Sequence, residues 1–189
     1  MSGGRRPEMP AEHALLGLLA LAEGGASHGY DLARSFAEGQ PLGDVLRLEP
    51  GMLYHHLKKL EREGWIESAT EEQVTRPARR THRLTPAGRA ELERWFAEPV
   101  AHTREIRLEF LVKLHFIRAL DPDRLPALVR EQREVLQRLA DSLERQLGQF
   151  TGEAGDADRD YRRAVIDLRI AQTRAALDWL DAAASRLAR

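Results

Sequence analysis

Pro50-Gly51-Met52-Leu53-Tyr54-His55-His56-Leu57-Lys58-Lys59-Leu60-Glu61-Arg62-Glu63-Gly64 is the stretch on which the fold turns. Leu53, Leu57 and Leu60 recur four and three residues apart, which places them on one face of a helix against a core. Tyr54, His55, Lys58, Lys59 and Arg62 then face outward, and that face is polar and mostly basic. Gly64 ends the helix and Trp65-Ile66-Glu67-Ser68 begins an extended run. Between Val74 and Arg89 the chain carries Arg76, Arg79, Arg80, Arg83 and Arg89 with no carboxylate among them, and Pro77 stiffens the tip. A basic helix followed by an arginine-rich hairpin is the order of parts in a winged helix-turn-helix. Guanidinium forks suit phosphate oxygens, and a hairpin tip can follow or enter a minor groove.

Working outward, Leu15, Leu18, Leu19 and Ala22 make the apolar stripe of a first helix that stops at Gly24-Gly25. Ser27 is expected to cap a second helix bearing Leu32, Ala33 and Phe36. After the hairpin, Thr85 reads as an N-cap with Pro86 at the first helical position, leading to Leu92, Trp95 and Phe96. The expected fold class is therefore mainly α: a winged helix-turn-helix with a two-stranded wing over residues 11–98, after a disordered lead over 1–10.

These segments together resemble the PadR family of transcriptional regulators. The resemblance rests on Pro50-Gly51-Met52-Leu53-Tyr54, Leu57-x-x-Leu60-Glu61-x-x-Gly64, Arg76-Pro77-Ala78-Arg79-Arg80, Leu84-Thr85-Pro86-Ala87-Gly88 and His28-Gly29-Tyr30. It extends to Glu109-Phe110-Leu111-Val112-Lys113 and Leu177-Asp178-Trp179-Leu180, which are similar to the C-terminal domain of longer members and of virulence-activator-like proteins. Glu49, Met52 and Thr81-His82 depart from the residues usual there. The resemblance implies a DNA-binding regulator, in the usual case a repressor, with family members often responding to small, sometimes aromatic, ligands near the domain junction.

The totals are compatible with that reading. A formal charge of -1 over 189 residues excludes a uniformly basic nucleic-acid coat, so any DNA contact is a local patch. Cysteine is absent, which removes disulfides, zinc thiolates and thiol catalysis. The Leu15–Leu21 run is too short to span a bilayer, and a cytoplasmic location with no membrane partner is expected.

Beyond Pro99 the pattern changes. Ile106, Phe110, Leu114 and Ile117 share a face of a helix ending near Asp121-Pro122. A long helix follows with Leu125, Leu128, Val129, Leu136, Leu139, Leu143 and Leu147, and then, past a Gly152–Asp158 linker, Ile166, Ile170, Thr173, Leu177, Leu180, Ala184 and Leu187 at heptad spacing. Residues 99–189 are expected to form a helical dimerisation domain with Ile166, Ile170, Leu177, Leu180 and Leu187 as the seam, the alternative being an antiparallel bundle within one chain.

The candidate DNA contacts are Tyr54, His55, Lys58, Lys59, Arg62, Arg76, Arg79, Arg80, Tyr30 and Met52, with support of the domain as the competing role for Tyr30, Met52 and His56. Trp95, Phe96, Phe110 and Trp179 are candidates for an effector pocket taking a small aromatic or hydrophobic molecule, against the plainer role of core. Gly25-Ala26-Ser27-His28-Gly29 satisfies the nucleophile-elbow pattern, but a leucine-striped helix precedes it where a buried strand is required. No enzyme, metal or cofactor is expected. The functional expectation is a sequence-specific regulator, acting as a homodimeric repressor on a palindromic operator and released by an effector; the alternative is a winged-helix module that binds protein.

Overall fold

The computed structural model describes residues 10–71, 79–150 and 157–187. Its contacts divide into two compact units, Met1–Glu98 with Leu111–Pro122, and Pro99–Phe110 with Asp123–Arg189.

In the first unit, α1 (Pro10–Leu21) is apolar on every side and buried almost throughout. Gly24 and Gly25 both take positive φ, which ends the helical course and turns the chain into β1 (Ala26–His28). The chain passes directly into α2 (Gly29–Arg34) and, after the connection over residues 35–49, into α3 (Pro50–Arg62), the latter with Pro50 in its first turn and Gly64, at φ 77°, just past its end. The strands β2 (Ile66–Glu71) and β3 (Arg79–Leu84) form the antiparallel wing. Thr85 caps α4 (Pro86–Ala97), its hydroxyl accepting from Gly88 N at 3.0 Å.

The two-stranded wing is extended by a third strand, and one expectation is corrected in this region. The sheet has three strands in the order β1-β3-β2, because Ala26, Ser27 and His28 pair with Arg83, His82 and Thr81. Ser27 is therefore a strand residue, and the position before α2 belongs to His28, which makes no side-chain cap. A free β3 edge beside α2 would leave backbone groups unpaired, and a strand of only three residues satisfies them.

The helical stretch after Pro99 runs through α5 (Thr103–Glu105), a π-type turn (Ile106–Phe110) and α6 (Leu111–Leu120). The π-type turn holds an additional residue per turn and rotates the apolar face. Ile106 and Phe110 are thus buried in the second unit, while Leu114, Phe116 and Ile117 are buried in the first. Gly17 on α1 leaves room for α6: a Cβ there would stand 2.7 Å from the Phe116 ring.

The second unit is built on α7 (Leu125–Gly148) and α8 (Ala157–Leu187). Ile166 and Ile170 cluster with Leu143, and Leu139, Leu147 and Phe150 pack against them. Thr173, Leu177 and Leu180 are buried too. The heptad stripe is thus already covered within one protomer, as in the antiparallel alternative, and Ile166, Ile170, Leu177 and Leu180 are not an open seam; the side chain of Leu187 lies outside the described residues. A stripe of that period needs an apolar cover, and α7 supplies it. Arg133–Asp181 (2.8 Å) and Arg174–Glu144 (2.6 Å) tie the same two helices at the surface. Buried Gln132 donates to Val100 O and accepts from Val100 N, fixing the start of this unit.

Candidate nucleic-acid interface

The outward face of α3 is the centre of the site. Leu53, His56, Leu57 and Leu60 are buried, while Met52, Tyr54, His55, Lys58 and Arg62 are exposed. The large side chains among them stand well out: Met52 is 47 % exposed, Tyr54 49 %, and Tyr30 at the start of α2 70 %. Lys58 has no ion-pair partner among the described residues, so its charge is available to an incoming anion. Arg62 leans on Glu63 at 3.2 Å and stays in solvent.

Lys59 departs from expectation. Its ammonium is turned inward and donates at 2.7 Å to Glu12 Oε1, a fully buried carboxylate of α1 that also contacts His56 Nδ1 at 3.1 Å. A buried carboxylate needs a cation and hydrogen bonds to remain charged, and α3 provides both. Lys59 therefore anchors the helix, and His56 is a support residue.

Alternation along β3 sorts the wing arginines. His82 and Leu84 are buried on the helix side, and Arg80 shares their face; Arg83 is exposed on the other. Arg80 Nη2 meets both oxygens of Glu61 on α3 at 2.7 Å. Arg76 and Pro77 lie outside the described residues, as does the side chain of Arg79. A cleft of ≈ 330 Å³ opens between α2, α3 and β3, lined by Tyr30, Tyr54, Lys58, Glu61, Arg80 and His82 among others. His82 bonds Ser68 Oγ through Nδ1 at 2.9 Å. Burial first, and then the Arg80 and His28 charges, hold its pKa below the ordinary imidazole value against the opposing pull of Glu61. It is neutral at neutral pH, so the cation at this wall is Arg80.

A second buried network braces the same unit from behind. His13 stacks on Trp95 with ring centroids 4.4 Å apart and meets Glu91 Oε1 at 3.3 Å. Arg94 pairs with Glu91 and Glu98, and Lys113 donates to the Glu98 carbonyl and lies 4.9 Å from the Trp95 ring centre. Burial pushes the Glu91 carboxyl up, but the hydrogen bonds from Arg94 and His13 outweigh it and hold the pKa low. Glu12, Glu91 and Lys113 carry no periodic signal. What marks the first two is the company they keep: polar residues within or facing a helix apolar all round must be paired inside.

Of the four aromatics expected at an effector pocket, Trp95, Phe96 and Phe110 are buried and Trp179 is half-buried. Trp95 and Phe96 are buried in the first, and Phe110 meets Trp179 edge to face at 6.2 Å in the second. Among the described residues no group of three or more His, Cys, Asp or Glu is placed to hold a metal, and no helix is long and apolar enough to cross a membrane.

Comparison with known proteins covers both units. Residues 18–94 match the transcriptional regulator PadR-like family, and residues 106–188 match the virulence activator alpha C-terminal family. Among curated proteins, a probable transcriptional regulator of Mycobacterium tuberculosis is 36 % identical over 96 residues, 51 % of this chain and 48 % of that protein. The negative transcriptional regulator PadR of Bacillus subtilis is 32 % identical over 123 residues, 64 % of each chain. The matches thus span between about half and just under two thirds of these relatives' lengths. Among solved structures, Bacillus subtilis PadR in complex with operator DNA is similar at a TM-score of 0.46 and 24 % identity, covering 95 % of this chain and 99 % of that one. The same protein in complex with p-coumaric acid gives 0.42 and 22 %, covering 96 % and 100 %.

Proposed function

We propose that the chain, whose residues 18–94 match the PadR-like family of transcriptional regulators, is a sequence-specific DNA-binding repressor that works as a homodimer on a palindromic operator. The observation that carries this is the division of α3: leucines inward, and Tyr54, His55 and Lys58 outward on a continuous exposed face. A helix so divided and flanked by a strand wing has the geometry of a major-groove reader. Tyr54, His55 and Lys58 approach base edges and adjacent phosphates, Tyr30 and Met52 stand at the margins of that face, and Arg62, Arg76, Arg79 and Arg80 supply backbone attraction.

The repressor sense follows the relative described as a negative regulator. The homodimer is formed by the C-terminal unit, and since the heptad stripe is covered within the protomer, its contact surface is the second stripe of α8. Tyr161, Val165 and Leu168 lie there four and three residues apart and are 72 %, 38 % and 58 % exposed. Release from DNA by a small aromatic or hydrophobic effector completes the reading.

One observation favours the protein-binding alternative: Arg80 is already neutralised by Glu61. Selection of bound duplexes from a random pool separates the two. The DNA-binding reading expects an enriched inverted repeat with half-site centres one helical turn, about 34–36 Å, or a multiple of it apart. Recovery of no enriched sequence overturns it.

A further inference from the structure

Glu61 stands on the same stripe of α3 as the reading residues, three positions after Lys58 and seven after Tyr54. It is the carboxylate that meets Arg80, with Nη2 at 2.7 Å from both oxygens, at the wall of the cleft under Tyr30 and Tyr54. The pair is open to water, the arginine side chain 53 % and the glutamate 32 % exposed. We propose that Glu61 is an internal stand-in for a DNA phosphate, holding Arg80 until a correctly placed backbone phosphate takes the guanidinium in exchange.

The chemistry of the two partners makes the exchange feasible. A guanidinium presents its N–H groups to a carboxylate and to a phosphate in the same forked geometry. A half-exposed pair is weak, so it can be opened without disturbing the fold. Exchange breaks the Glu61–Arg80 pair and leaves the carboxylate to water. Glu61 therefore lowers affinity for every duplex, and lowers it most where the nearest phosphate is too poorly placed to draw Arg80 away, because there the contact is not made at all. The effect on an operator is smaller than on a non-cognate duplex, and Glu61 is a specificity-determining residue that touches no base. This inference rests on the DNA-binding reading.

The test is a double-mutant cycle on the full chain, using the duplex upstream of the protein's own gene and a shuffled duplex of equal length. Glu61→Gln is expected to bind both about three- to tenfold more tightly, the shuffled duplex gaining more, with the slope of log affinity against log salt steeper by about 0.9 on the shuffled duplex, the value of one added phosphate contact, and nearly unchanged on the other. In an Arg80→Ala background the same substitution is expected to gain less than about twofold, because its effect passes through Arg80. Circular dichroism checks that both variants are folded, and Glu61→Ala repeats the measurement without an amide. If Glu61→Gln binds no more tightly than wild type, or keeps its whole gain in the Arg80→Ala background, the inference is overturned while DNA binding stands. If the wild-type chain binds neither duplex, the DNA-binding reading falls and this one falls with it.

Discussion

The Tyr54 ring lies directly over Gly29: a Cβ at Gly29 would stand 2.8 Å from Tyr54 Cε1 and 3.2 Å from its hydroxyl. The start of α2 thus sets where the largest side chain of the α3 outer face can point. Gly29 has no positive φ, so the lack of a side chain, not backbone freedom, is what the position requires. Gly29→Ala is expected to be accommodated by swinging the exposed phenol aside. Folding stability should change by less than about 1 kcal/mol, while affinity for a cognate duplex falls about tenfold, the scale of one lost specific contact. Urea unfolding and anisotropy titration measure the two separately; equal affinity in wild type and variant would show that the Tyr54 position does not matter for binding.

Lys58 and Lys59 are neighbours with opposite roles. Lys58→Gln is expected to leave unfolding unchanged and to flatten the salt dependence of DNA binding by about one phosphate contact. Lys59→Gln removes the ammonium from the buried Glu12 carboxylate, which keeps its contact with His56. Loss of one partner from a buried pair costs about 3 kcal/mol, and a lower value is expected here because Lys59 reaches the surface. Salt slopes and urea midpoints on both variants check the assignment, which fails if Lys59→Gln flattens the slope at unchanged stability.

Thr85 and Gly88 lock the wing to α4. The Thr85 hydroxyl lies 2.7 Å from Gly64 O and 3.1 Å from Trp65 O, and accepts from Gly88 N; a Cβ at Gly88 would lie 2.0 Å from Trp65 O. The obstacle there is backbone, which cannot turn aside as the Tyr54 ring can. Thr85→Val is expected to cost about 1 kcal/mol, an ordinary N-cap loss, and Gly88→Ala about 2 kcal/mol or more. A melting temperature for Gly88→Ala equal to that of wild type would contradict this packing.

Acidification should weaken the fold in two stages. His82 and His115 both have pKa values lowered chiefly by burial, so the unfolded chain takes up protons that the folded one refuses. Their contribution is complete above about 6.5, the ordinary imidazole value, and is lost as pH falls through the folded-state values. Glu91, held low by Arg94 and His13 against burial, acts later: its contribution is present above about 4.5 and lost below it. Urea midpoints between about pH 7.5 and pH 5.5, a range spanning the imidazole titration, should fall for wild type. They should fall less for His82→Asn, whose amide can keep the bond to Ser68. A flat wild-type profile would refute the sign.

Leu168 and Leu177 separate the two stripes of α8. Leu168→Glu is expected to convert a dimer into a folded monomer in sedimentation equilibrium. Leu177→Ala is expected to cost about 2–3 kcal/mol of stability, because its side chain is buried within the protomer. A Leu168→Glu protein that remained dimeric would place the interface elsewhere.

What was legible in the sequence was local. Leu53, Leu57 and Leu60 mark the buried face of α3 by spacing, and Gly64, Thr85 and Pro86 mark ends by backbone chemistry that needs no distant partner. What was hidden depends on residues far apart in the chain. Ala26–His28 is a strand only because β3 lies beside it, and Lys59 turns inward only because Glu12, 47 positions earlier, is buried there. The period of α8 announces an apolar stripe without saying what covers it, and α7 does. Arg80 was visible as a cation; its engagement by Glu61, 19 residues before it, was not.

The central claim is that the exposed face of α3 meets duplex DNA. Anisotropy titration of a labelled duplex from upstream of the gene tests it most directly, with full-length wild type and Tyr54→Ala/Lys58→Ala, between about 50 and 200 mM salt. The account predicts saturable wild-type binding that weakens steeply with salt, and at least tenfold weaker binding by the variant at equal stability. Absence of binding at the lowest salt, or indistinguishable curves for the two proteins, would contradict it.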